Sequence, residues 1–459
     1  MLSPAILDEL VAIVGREYVL TEPEDLVCYA YDATPIVHLP DVVVMPGSTG
    51  EVAAVVRLAH RQRLPVVPRG GSTNLSGGTV PLQGGIVLAM SRFDRLLEID
   101  AENLTATVQP GVITADFHKA VETQGLFYPP DPASMTASTL GGNVGEGAGG
   151  PRAVKYGTTK DYVLGLEVVL PTGEVIRTGN KTVKNVAGYD LTHLFVGAEG
   201  TLGVVTEITV RLLPLPQAKQ TLLAIYDDLD AAAQTVSSII AQKIVPTTLE
   251  LMDKVTMARI EAYKPVGLPL DAAATLLIEV DGDAAAVPRQ AQVIAEACRA
   301  CGAREVKLAR SSQEADQLWT GRRAALAAAA RYRPTLIVED ATVPRSQLPA
   351  AVRLVQDLAA KHQIEVAILA HAGDGNLHPL IMTDARDAVE MARVDAFSDE
   401  FFLGCLAMGG TLTGEHGIGY LKAKYMKAQF GEAGLGAMRA IKQALDPHNI
   451  MNPGKIFGA

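Results

Sequence analysis

Short apolar runs separated by glycine-rich turns dominate the first part of the chain. An amphipathic helix is predicted over residues 4–14, because apolar residues recur there at helical spacing between a first-turn proline and Gly15. The next predicted elements are, in order, a strand, a helix, a strand and a helix, at residues 42–45, 49–63, 65–68 and 114–124. These elements predict a first domain over residues 1–216, which ends in a proline-rich linker.

After this linker, strand-like runs alternate with long alanine-rich helical patterns. The predicted strands lie at residues 221–226, 247–251, 275–280, 305–308, 335–338, 364–369 and 378–382. The order strand, helix, strand, strand, helix, strand is that of a ferredoxin-like layer, with helices on one face of an antiparallel sheet. We therefore predict a second domain over residues 217–425. A last helix near 434–445 belongs to a C-terminal segment, residues 426–459, that is expected to return to the first domain.

The composition is that of a globular protein, and it excludes several classes of function. The chain has 459 residues, 48% of them hydrophobic and 20% charged, so two or three domains are expected. The net charge of −11 argues against nucleic acid as the main partner, because phosphate backbones bind basic surfaces. No apolar run reaches the ~18–20 residues of a membrane helix, and the N-terminus lacks the pattern of a secretory signal. We expect a cytoplasmic protein, or one peripheral to the inner face of a membrane.

The four cysteines form no convincing redox or metal motif. Cys298 and Cys301 have the C-x-x-C spacing of such motifs, but they end an alanine-rich helical pattern and no second pair occurs. We interpret them as plain thiols. No cysteine run could hold an iron–sulfur cluster, so the chain is not expected to carry one.

Three segments are candidates for nucleotide binding, and the first is residues 68–78. It ends a predicted strand with successive glycines, whose N–H groups can form a concave nest for a pyrophosphate. It lacks the Gly-Lys-Ser/Thr ending of a P-loop and opens no predicted helix, so neither the P-loop nor the Rossmann fingerprint applies. From these residues alone, a flexible surface turn is an equally good interpretation.

The second candidate is residues 139–150, half of which are glycine. Gly145, Gly147 and Gly150 match G-x-G-x-x-G, but no strand is predicted before them and no helix after them, so we reject a Rossmann site. We predict a glycine-rich turn that passes close to a large flat ligand, since a disordered linker inside a domain is unusual. The third candidate, residues 199–206, again joins tight glycines to a strand pattern.

In order and spacing, these segments resemble the FAD-binding domain of the vanillyl-alcohol-oxidase/p-cresol-methylhydroxylase family, over about residues 41–216. The resemblance implies that residues 69–74 surround the FAD pyrophosphate, that residues 141–145 line the isoalloxazine and ribityl groups, and that residues 203–205 close over the adenine. Some relatives attach the flavin to a histidine where Thr73 stands, which implies non-covalent FAD in this chain. The implied FAD-binding residues are Pro68, Arg69, Gly70, Gly71, Ser72, Thr73, Asn74, Gly77, Gly78, Pro132, Ser134, Thr139, Gly141, Gly142, Asn143, Gly145, Gly200, Gly203, Val204, Val205 and Asn452.

Two histidines at a predicted hairpin carry the clearest chemical signal of the second domain. His371 ends one predicted strand and His378 begins the next, so the hairpin brings the two rings close together. A divalent metal between them is one interpretation, and a pair of structural histidines in a turn is the other. Further along, Glu415 could complete a His2Glu site, and His416 could act as a base, since histidine titrates at about pH 6.5. A turn carboxylate beside an exposed histidine is the alternative for this second pair.

The segments 371–378, 414–417 and 452–455 resemble the C-terminal half of the FAD-linked D-2-hydroxyacid dehydrogenases, which include D-lactate dehydrogenases and glycolate oxidase catalytic subunits. The resemblance implies an α+β fold with a two-part FAD-binding domain and a ferredoxin-like substrate domain. It implies a divalent metal (Zn, Mn or Fe) on His371, His378 and Glu415, with His416 as the catalytic base. It also implies that Arg322 binds the substrate carboxylate, a task that suits the planar guanidinium.

The implied activity is oxidation of a 2-hydroxy acid to the 2-oxo acid. Members that take dicarboxylates carry polar residues at the positions of Val338 and Leu380, so a small monocarboxylate such as glycolate or D-lactate is expected. D-2-Hydroxyglutarate oxidation, a non-catalytic flavin-carrying subunit and a non-redox transferase resembling alkyl-dihydroxyacetonephosphate synthase are the alternatives. The electron acceptor is expected to be external: an iron–sulfur subunit, an electron-transferring flavoprotein, a quinone or a cytochrome, with O2 also open.

Overall fold

The structure is a computed structural model that describes residues 2–458. Met1 and Ala459, at the outer ends of the predicted domains, lie outside the described residues. The chain forms two compact units. The first unit comprises the chain up to Gly149, then Thr158–Leu215 and the chain from Glu415 onward, and the second comprises Gly150–Gly157 and Pro216–Gly414.

The described chain contains 14 α-helices and 19 strands. The α-helices are α1 (Pro4–Val14), α2 (Pro23–Leu26), α3 (Thr49–Gln62), α4 (Thr114–Glu122), α5 (Leu140–Glu146), α6 (Ala153–Tyr156), α7 (Leu191–Phe195), α8 (Leu229–Ala241), α9 (Lys254–Tyr263), α10 (Ala286–Ala300), α11 (Ser312–Ala330), α12 (Leu348–His362), α13 (Ala388–Ala407) and α14 (Met426–Leu445). The strands are β1 (Val19–Leu20), β2 (Val42–Val44), β3 (Val66–Arg69), β4 (Ile86–Ala89), β5 (Leu96–Asp100), β6 (Thr105–Val108), β7 (Leu126–Phe127), β8 (Val163–Val169), β9 (Val175–Gly179), β10 (Val204–Arg211), β11 (Leu213–Pro214), β12 (Ala218–Tyr226), β13 (Thr248–Asp253), β14 (Ala274–Gly282), β15 (Glu305–Leu308), β16 (Thr335–Val338), β17 (Ala341–Thr342), β18 (Glu365–His371) and β19 (Asn376–Thr383). Over residues 2–458, no helix is long and apolar enough to cross a bilayer.

A mixed four-stranded sheet forms the core of the N-terminal part of the first unit. Its order is β1–β2–β4–β3; β2, β4 and β3 run parallel, and β1 pairs antiparallel with β2. Helix α3 packs on this sheet because Val52, Val55 and Val56 recur at helical spacing and are fully buried. The helix begins at Ser48, whose side chain accepts the N–H of Glu51. Strand β3 then leads into the first glycine-rich segment.

A second sheet of the first unit is antiparallel, in the order β5–β6–β10–β8–β9. Strand β10 pairs with both β6 and β8, and its residues are buried and half-buried in strict alternation from Val204 to Val210. This alternation is that of a strand with one face on the core. The strand predicted after the third glycine segment is therefore present.

The glycine-rich segment 139–150 contains a helix that its glycine content argued against. Helix α5 spans Leu140–Glu146, its cap residue Thr139 accepts the N–H of Gly142, and Gly147 ends it with a φ of +71°. The prediction of a turn with no helix is wrong for these residues. The threonine cap and the buried apolar residues of the helix outweigh the entropic cost of its glycines.

One eight-stranded sheet, antiparallel at every pairing described, forms the second unit. Its strand order is β15–β12–β14–β13–β18–β19–β16, and β17 also pairs with β19. Strands β12 to β15 with α8 and α10 have the predicted order strand, helix, strand, strand, helix, strand, although α9 is added between β13 and β14. The α+β fold class is confirmed.

Helices cover both faces of this sheet, so the prediction of helices on one face is wrong. Leu223 and Ile225 of β12 pack in one hydrophobic cluster with residues of α9 and α11. The alternate residues Leu222 and Ala224 are also fully buried, and α8 and α10 contact this strand. A strand buried on both faces has a continuous apolar sequence, and such a run does not reveal how many faces are covered.

The division of the chain differs from the predicted ranges 1–216, 217–425 and 426–459 in two places. The excursion Gly150–Gly157 belongs to the second unit, where Lys155 Nζ lies 2.5 Å from Oδ1 of Asp281 and the Tyr156 hydroxyl donates to the same oxygen at 2.9 Å. The chain returns to the first unit already at Glu415. The excursion and the early return both depend on contacts between segments that are far apart in sequence. No local sequence pattern predicts such contacts.

Candidate active site

A cavity in the first unit is built from all three glycine-bearing segments. It encloses about 720 Å³ of empty space, its open mouth included. The end of β3, helix α5 and the start of β10 contribute to its wall. The predicted FAD-binding residues that line it are Pro68, Arg69, Gly70, Gly78, Thr139, Gly141, Gly142, Gly145, Gly200, Gly203, Val204 and Val205.

The remaining predicted FAD-binding residues do not line this cavity: Gly71, Ser72, Thr73, Asn74, Gly77, Pro132, Ser134, Asn143 and Asn452. Two of them hold its wall together. Asn143 donates its amide to the Thr114 hydroxyl at 2.9 Å. Asn452 donates to the carbonyl oxygens of Gly78 at 2.8 Å and Glu199 at 2.7 Å. Contact of these residues with FAD stays a prediction.

The glycines let the wall segments approach closely and leave room inside. A Cβ on Gly141 would overlap the ring of Pro110, and one on Gly70 would overlap the hydroxyl of Thr139. On Gly145, by contrast, a Cβ would have no atom within 4 Å and would enter open space. Glycines at these positions bring the wall segments together and leave room for a large flat dinucleotide, so the residues present suit FAD.

Two buried carboxyl groups in the cavity wall, Glu146 and Glu199, were missed from the sequence. Glu199 accepts the N–H groups of Ile418 at 2.7 Å and Gly419 at 2.6 Å. Burial raises the pKa of Glu199 to about 7, although these two hydrogen bonds lower it. Burial and then the nearby charge of Glu199 raise the pKa of Glu146 well above its usual value. The available signal was an acidic residue inside each glycine-bearing segment. It was missed because the interpretation of these segments rested on their glycines.

Gly417, the neighbour of His416, lies close to both of these carboxyl groups. Its φ is +79°, and a Cβ there would overlap Oε2 of Glu146 and lie 3.0 Å from Oε1 of Glu199. A Cβ on Gly149 would lie 2.9 Å from Oε2 of Glu415. Glu415 and Gly417 therefore both approach the second glycine-rich segment. The role of His416 as the base stays a prediction.

The predicted metal ligands come together. The β18–β19 hairpin pairs Leu369 with His378, so His371 and His378 share one face of the sheet. Their ring centroids are 5.1 Å apart and the rings are nearly perpendicular. One ligand atom from each of His371, His378 and Glu415 lies within 4.8 Å of the other two. Two imidazoles and a carboxylate are a donor set that zinc and related divalent cations take.

Both histidines are oriented through Nδ1. His371 Nδ1 lies 2.8 Å from Oε1 and 2.9 Å from Oε2 of Glu250, and His378 Nδ1 lies 3.3 Å from the carbonyl oxygen of Glu339. An ionised carboxylate and a carbonyl only accept, so each Nδ1 is the donor and each Nε2 carries the lone pair. A metal-ligating histidine commonly has such a partner on its other nitrogen. The residues present therefore fit a divalent cation.

Glu250 also binds Arg322, the predicted substrate arginine. Arg322 on α11 is buried, its Nε donates to Oε2 of Glu250 at 2.8 Å, and its Nη2 lies 2.6 Å from the same oxygen. Burial opposes the charge on Glu250, but His371 and Arg322 outweigh it and lower the pKa of this carboxyl. Glu250 lies in an apolar strand, and no motif pointed to it. Substrate binding by Arg322 stays a prediction.

After His378 along β19, the next side chain on the same face of the sheet is apolar, and so is its partner on β16. Val338 and Leu380 are direct partners across β16 and β19. Leu380 lies two residues after His378, on the same face, and is fully buried in a cluster with Leu369 and Met382. The two positions that led us to expect a monocarboxylate substrate are thus adjacent and apolar.

Two family models match the chain and define its class. The model of FAD linked oxidases, C-terminal domain, matches residues 215–456, more than half of the chain, and a model of an FAD binding domain matches residues 40–179. The chain therefore belongs to the FAD-linked oxidases and is an oxidoreductase that uses FAD. The predicted class of flavoprotein is confirmed.

Individual relatives refine this placement. The chain is 51% identical to the glycolate oxidase subunit GlcD of Bacillus subtilis, covering 100% of this chain and 97% of the relative. It is 39% identical to the GlcD subunit of Escherichia coli K12, covering 96% and 89%, and 36% identical to a D-lactate dehydrogenase of Anaerostipes hadrus, covering 91% and 89%.

Solved structures with a similar fold include p-cresol methylhydroxylase with substrate bound, with a TM-score of 0.80 at 18% identity, covering 99% of this chain and 96% of the other. An alkyldihydroxyacetonephosphate synthase has a TM-score of 0.78 at 19% identity, covering 99% and 86%. At these identities the likeness concerns the fold. It agrees with the resemblance to the vanillyl-alcohol-oxidase/p-cresol-methylhydroxylase family.

Proposed function

We propose that this chain oxidises a small 2-hydroxy monocarboxylic acid to the 2-oxo acid and passes the electrons to an external acceptor. The observation that carries the proposal is the convergence of His371, His378 and Glu415 within 4.8 Å, with both Nδ1 atoms already engaged. The names of the relatives, glycolate oxidase subunit and D-lactate dehydrogenase, support the same class of substrate.

A divalent metal (Zn, Mn or Fe) would be held by His371 Nε2, His378 Nε2 and the Glu415 carboxylate. Three protein ligands leave coordination positions open for a substrate. There the metal would supply a Lewis acid that lowers the pKa of the substrate hydroxyl.

Two side chains are assigned to the substrate. Arg322 uses Nε and Nη2 for Glu250, and we assign its Nη1 to the substrate carboxylate. His416 removes the hydroxyl proton, for which an imidazole is suited near neutral pH. Bound FAD supplies the acceptor for the two electrons released when the C–OH group becomes C=O.

The apolar pair Val338 and Leu380 favours glycolate or D-lactate over a dicarboxylate. A second carboxylate beside these side chains would lose water without gaining a polar partner, which is costly. D-2-Hydroxyglutarate is therefore expected to be a poor substrate.

The route of the electrons and the attachment of FAD complete the proposal. Relatives at 51% and 39% identity are named as subunits, which supports an acceptor on another polypeptide, such as an iron–sulfur subunit; an electron-transferring flavoprotein, a quinone or a cytochrome would serve the same role. FAD is proposed to be bound non-covalently. A cytoplasmic location, or one peripheral to the inner face of a membrane, is proposed with it.

Anaerobic mixing of the FAD-loaded protein with substrates tests the activity. Glycolate and D-lactate are expected to bleach the flavin absorption, D-2-hydroxyglutarate to do so much more slowly, and L-lactate to serve as the stereochemical control. Fastest bleaching by D-2-hydroxyglutarate would contradict the substrate size. No bleaching by any of them, with normal reduction by dithionite, would contradict the activity.

A further inference from the structure

Asp340 is a fully buried carboxylate between β16 and β17 that joins separate segments of the second unit. Its Oδ1 accepts the Asn376 amide at 2.5 Å, and its Oδ1 and Oδ2 lie 3.0 and 3.1 Å from the N–H of Gly414. The Thr413 hydroxyl donates to Oδ2 as well. Each of these is a charge-assisted hydrogen bond, stronger than one between neutral groups.

The partners of Asp340 lie next to candidate metal ligands. Asn376 begins β19, and His378 follows two residues later on the same strand face. Gly414 is bonded directly to Glu415. One carboxylate thus holds both the hairpin that carries the histidines and the residue that precedes the acidic ligand.

Gly414 has no room for a side chain, because the chain before Glu415 is in close contact with β17 and with the start of β19. A Cβ on Gly414 would overlap the Thr342 hydroxyl and lie 2.6 Å from Nδ2 and 2.7 Å from Cγ of Asn376. Thr342 and Thr411 also exchange backbone hydrogen bonds of 3.2 and 2.8 Å. The chain before Glu415 is therefore fixed on the end of the hairpin.

We propose that Asp340 is a positioning residue that sets where Glu415 stands relative to His378 and thereby sets the affinity for the divalent metal. The inference rests on the metal site of the proposed function. A ligand that arrives from a distant segment binds well only if its backbone is held in place beforehand, because ordering it on binding costs free energy. Loss of a supporting partner of this kind typically lowers metal affinity by about 10–100-fold.

Asp340→Asn tests the inference, with Glu390→Gln as the matched control. Glu390 is another buried carboxylate of the second unit, and its hydrogen bonds go to Arg333. Each FAD-loaded protein is stripped with a chelator and titrated with Mn²⁺, while free Mn²⁺ is followed by its electron paramagnetic resonance signal. Asp340→Asn is expected to weaken binding by about 10–100-fold at unchanged FAD content. Glu390→Gln is expected to bind like wild type; equal weakening of both would show a general effect and overturn the inference.

Gly414→Ala provides a second route should Asp340→Asn fail to fold. Its Cβ displaces the same segment without changing a charge, whereas Gly436→Ala on α14 would meet nothing within 4 Å. Gly414→Ala is expected to bind Mn²⁺ weakly, and Gly436→Ala is expected to bind it like wild type. Wild-type affinity in Gly414→Ala would overturn the inference.

His371→Ala separates this inference from the metal site itself. If wild type binds no more Mn²⁺ than His371→Ala does, the proposed metal site fails and the inference with it. If His371→Ala abolishes binding while Asp340→Asn and Gly414→Ala leave it intact, only the role of Asp340 is wrong.

Discussion

Nδ1 of His371 lies 2.8 Å from Oε1 of Glu250, and the carboxylate that receives it is fully buried. Because Glu250 also binds Arg322, one side chain orients both a proposed metal ligand and the proposed substrate arginine. Replacing a buried carboxylate that binds two such groups lowers the stability of the protein. Its partners are buried as well, so they cannot form hydrogen bonds to water in its place.

Glu250→Gln is therefore expected to destabilise the protein. The amide carries no charge, so Arg322 would be left buried without its counter-ion, and the free energy of unfolding should fall by about 3–5 kcal/mol. Glu390→Gln is the control, because its partner Arg333 is one-third exposed and the loss there should be about 1 kcal/mol or less. Urea denaturation of the FAD-loaded proteins measures both. Equal small losses would mean that the buried pair contributes no more than the partly exposed one.

His416→Ala is expected to keep FAD and lose reduction of the flavin by substrate. Removal of a general base typically lowers the rate by about 10²–10⁴-fold. Anaerobic stopped-flow absorbance with saturating glycolate or D-lactate measures the rate. The control is His193→Ala, which removes a partly exposed histidine paired with Asp190. A normal rate in His416→Ala would refute the assignment of the base.

Removal of the metal is expected to abolish substrate oxidation while the flavin spectrum remains. The proposed metal ligands are not among the residues that line the flavin cavity, so chelation should not release FAD. After dialysis against a chelator, reduction by substrate should be lost, and Mn²⁺ or Zn²⁺ should restore it. Dithionite, which needs no metal, should reduce the flavin throughout. Full activity of protein shown to be metal-free would exclude the metal from the reaction.

FAD is expected to leave the protein on denaturation. Among the described residues that line the cavity, none is a histidine or a cysteine, the side chains to which flavins are commonly attached, and Thr73 stands outside its wall. Acid precipitation should therefore leave the yellow cofactor in the supernatant. Flavin absorbance that stays in the washed pellet would indicate a covalent bond.

The sequence indicated the segments of the candidate site, but it did not indicate the buried contacts that hold these segments in place. The glycine segments and the pair His371 and His378 are local patterns, and local patterns can be recognised without coordinates. Glu250 and Asp340 could not be found in this way, because each lies in or beside an apolar strand and acts on residues that are distant in the chain. Their role depends on strand register and on one buried contact, which no spacing rule encodes.

Helix α5 illustrates the opposite error. Glycine lowers helix stability by about 1 kcal/mol per residue relative to alanine, which argued for a turn. Its cap at Thr139 and the burial of Leu140 and Val144 decide otherwise. Tertiary contacts outweighed propensity at the position where the chain must have small residues.

The pair Glu146 and Glu199 makes stability depend on pH. Both pKa values are raised in the folded protein, that of Glu199 to about 7. Between about pH 4.5 and 7 the folded state then holds protons that the unfolded chain has released, so stability falls as the pH rises through this window. Asp32, Lys422 and Lys455 are the other charged groups that act on Glu146. Lys455 has its pKa lowered to about 8 and titrates at the upper edge of the window.

Glu146→Gln is expected to flatten this dependence. The substitution removes one titrating group and the charge that it places near Glu199, so less free energy is lost on deprotonation. The thermal midpoint of wild type should drop more between pH 5.0 and 7.0 than that of the variant, measured at saturating FAD because Glu146 lines the cavity. This range lies below pH 8, where Lys455, on which Glu146 also acts, titrates. Parallel pH profiles would mean that Glu146 titrates alike in the folded and unfolded chains.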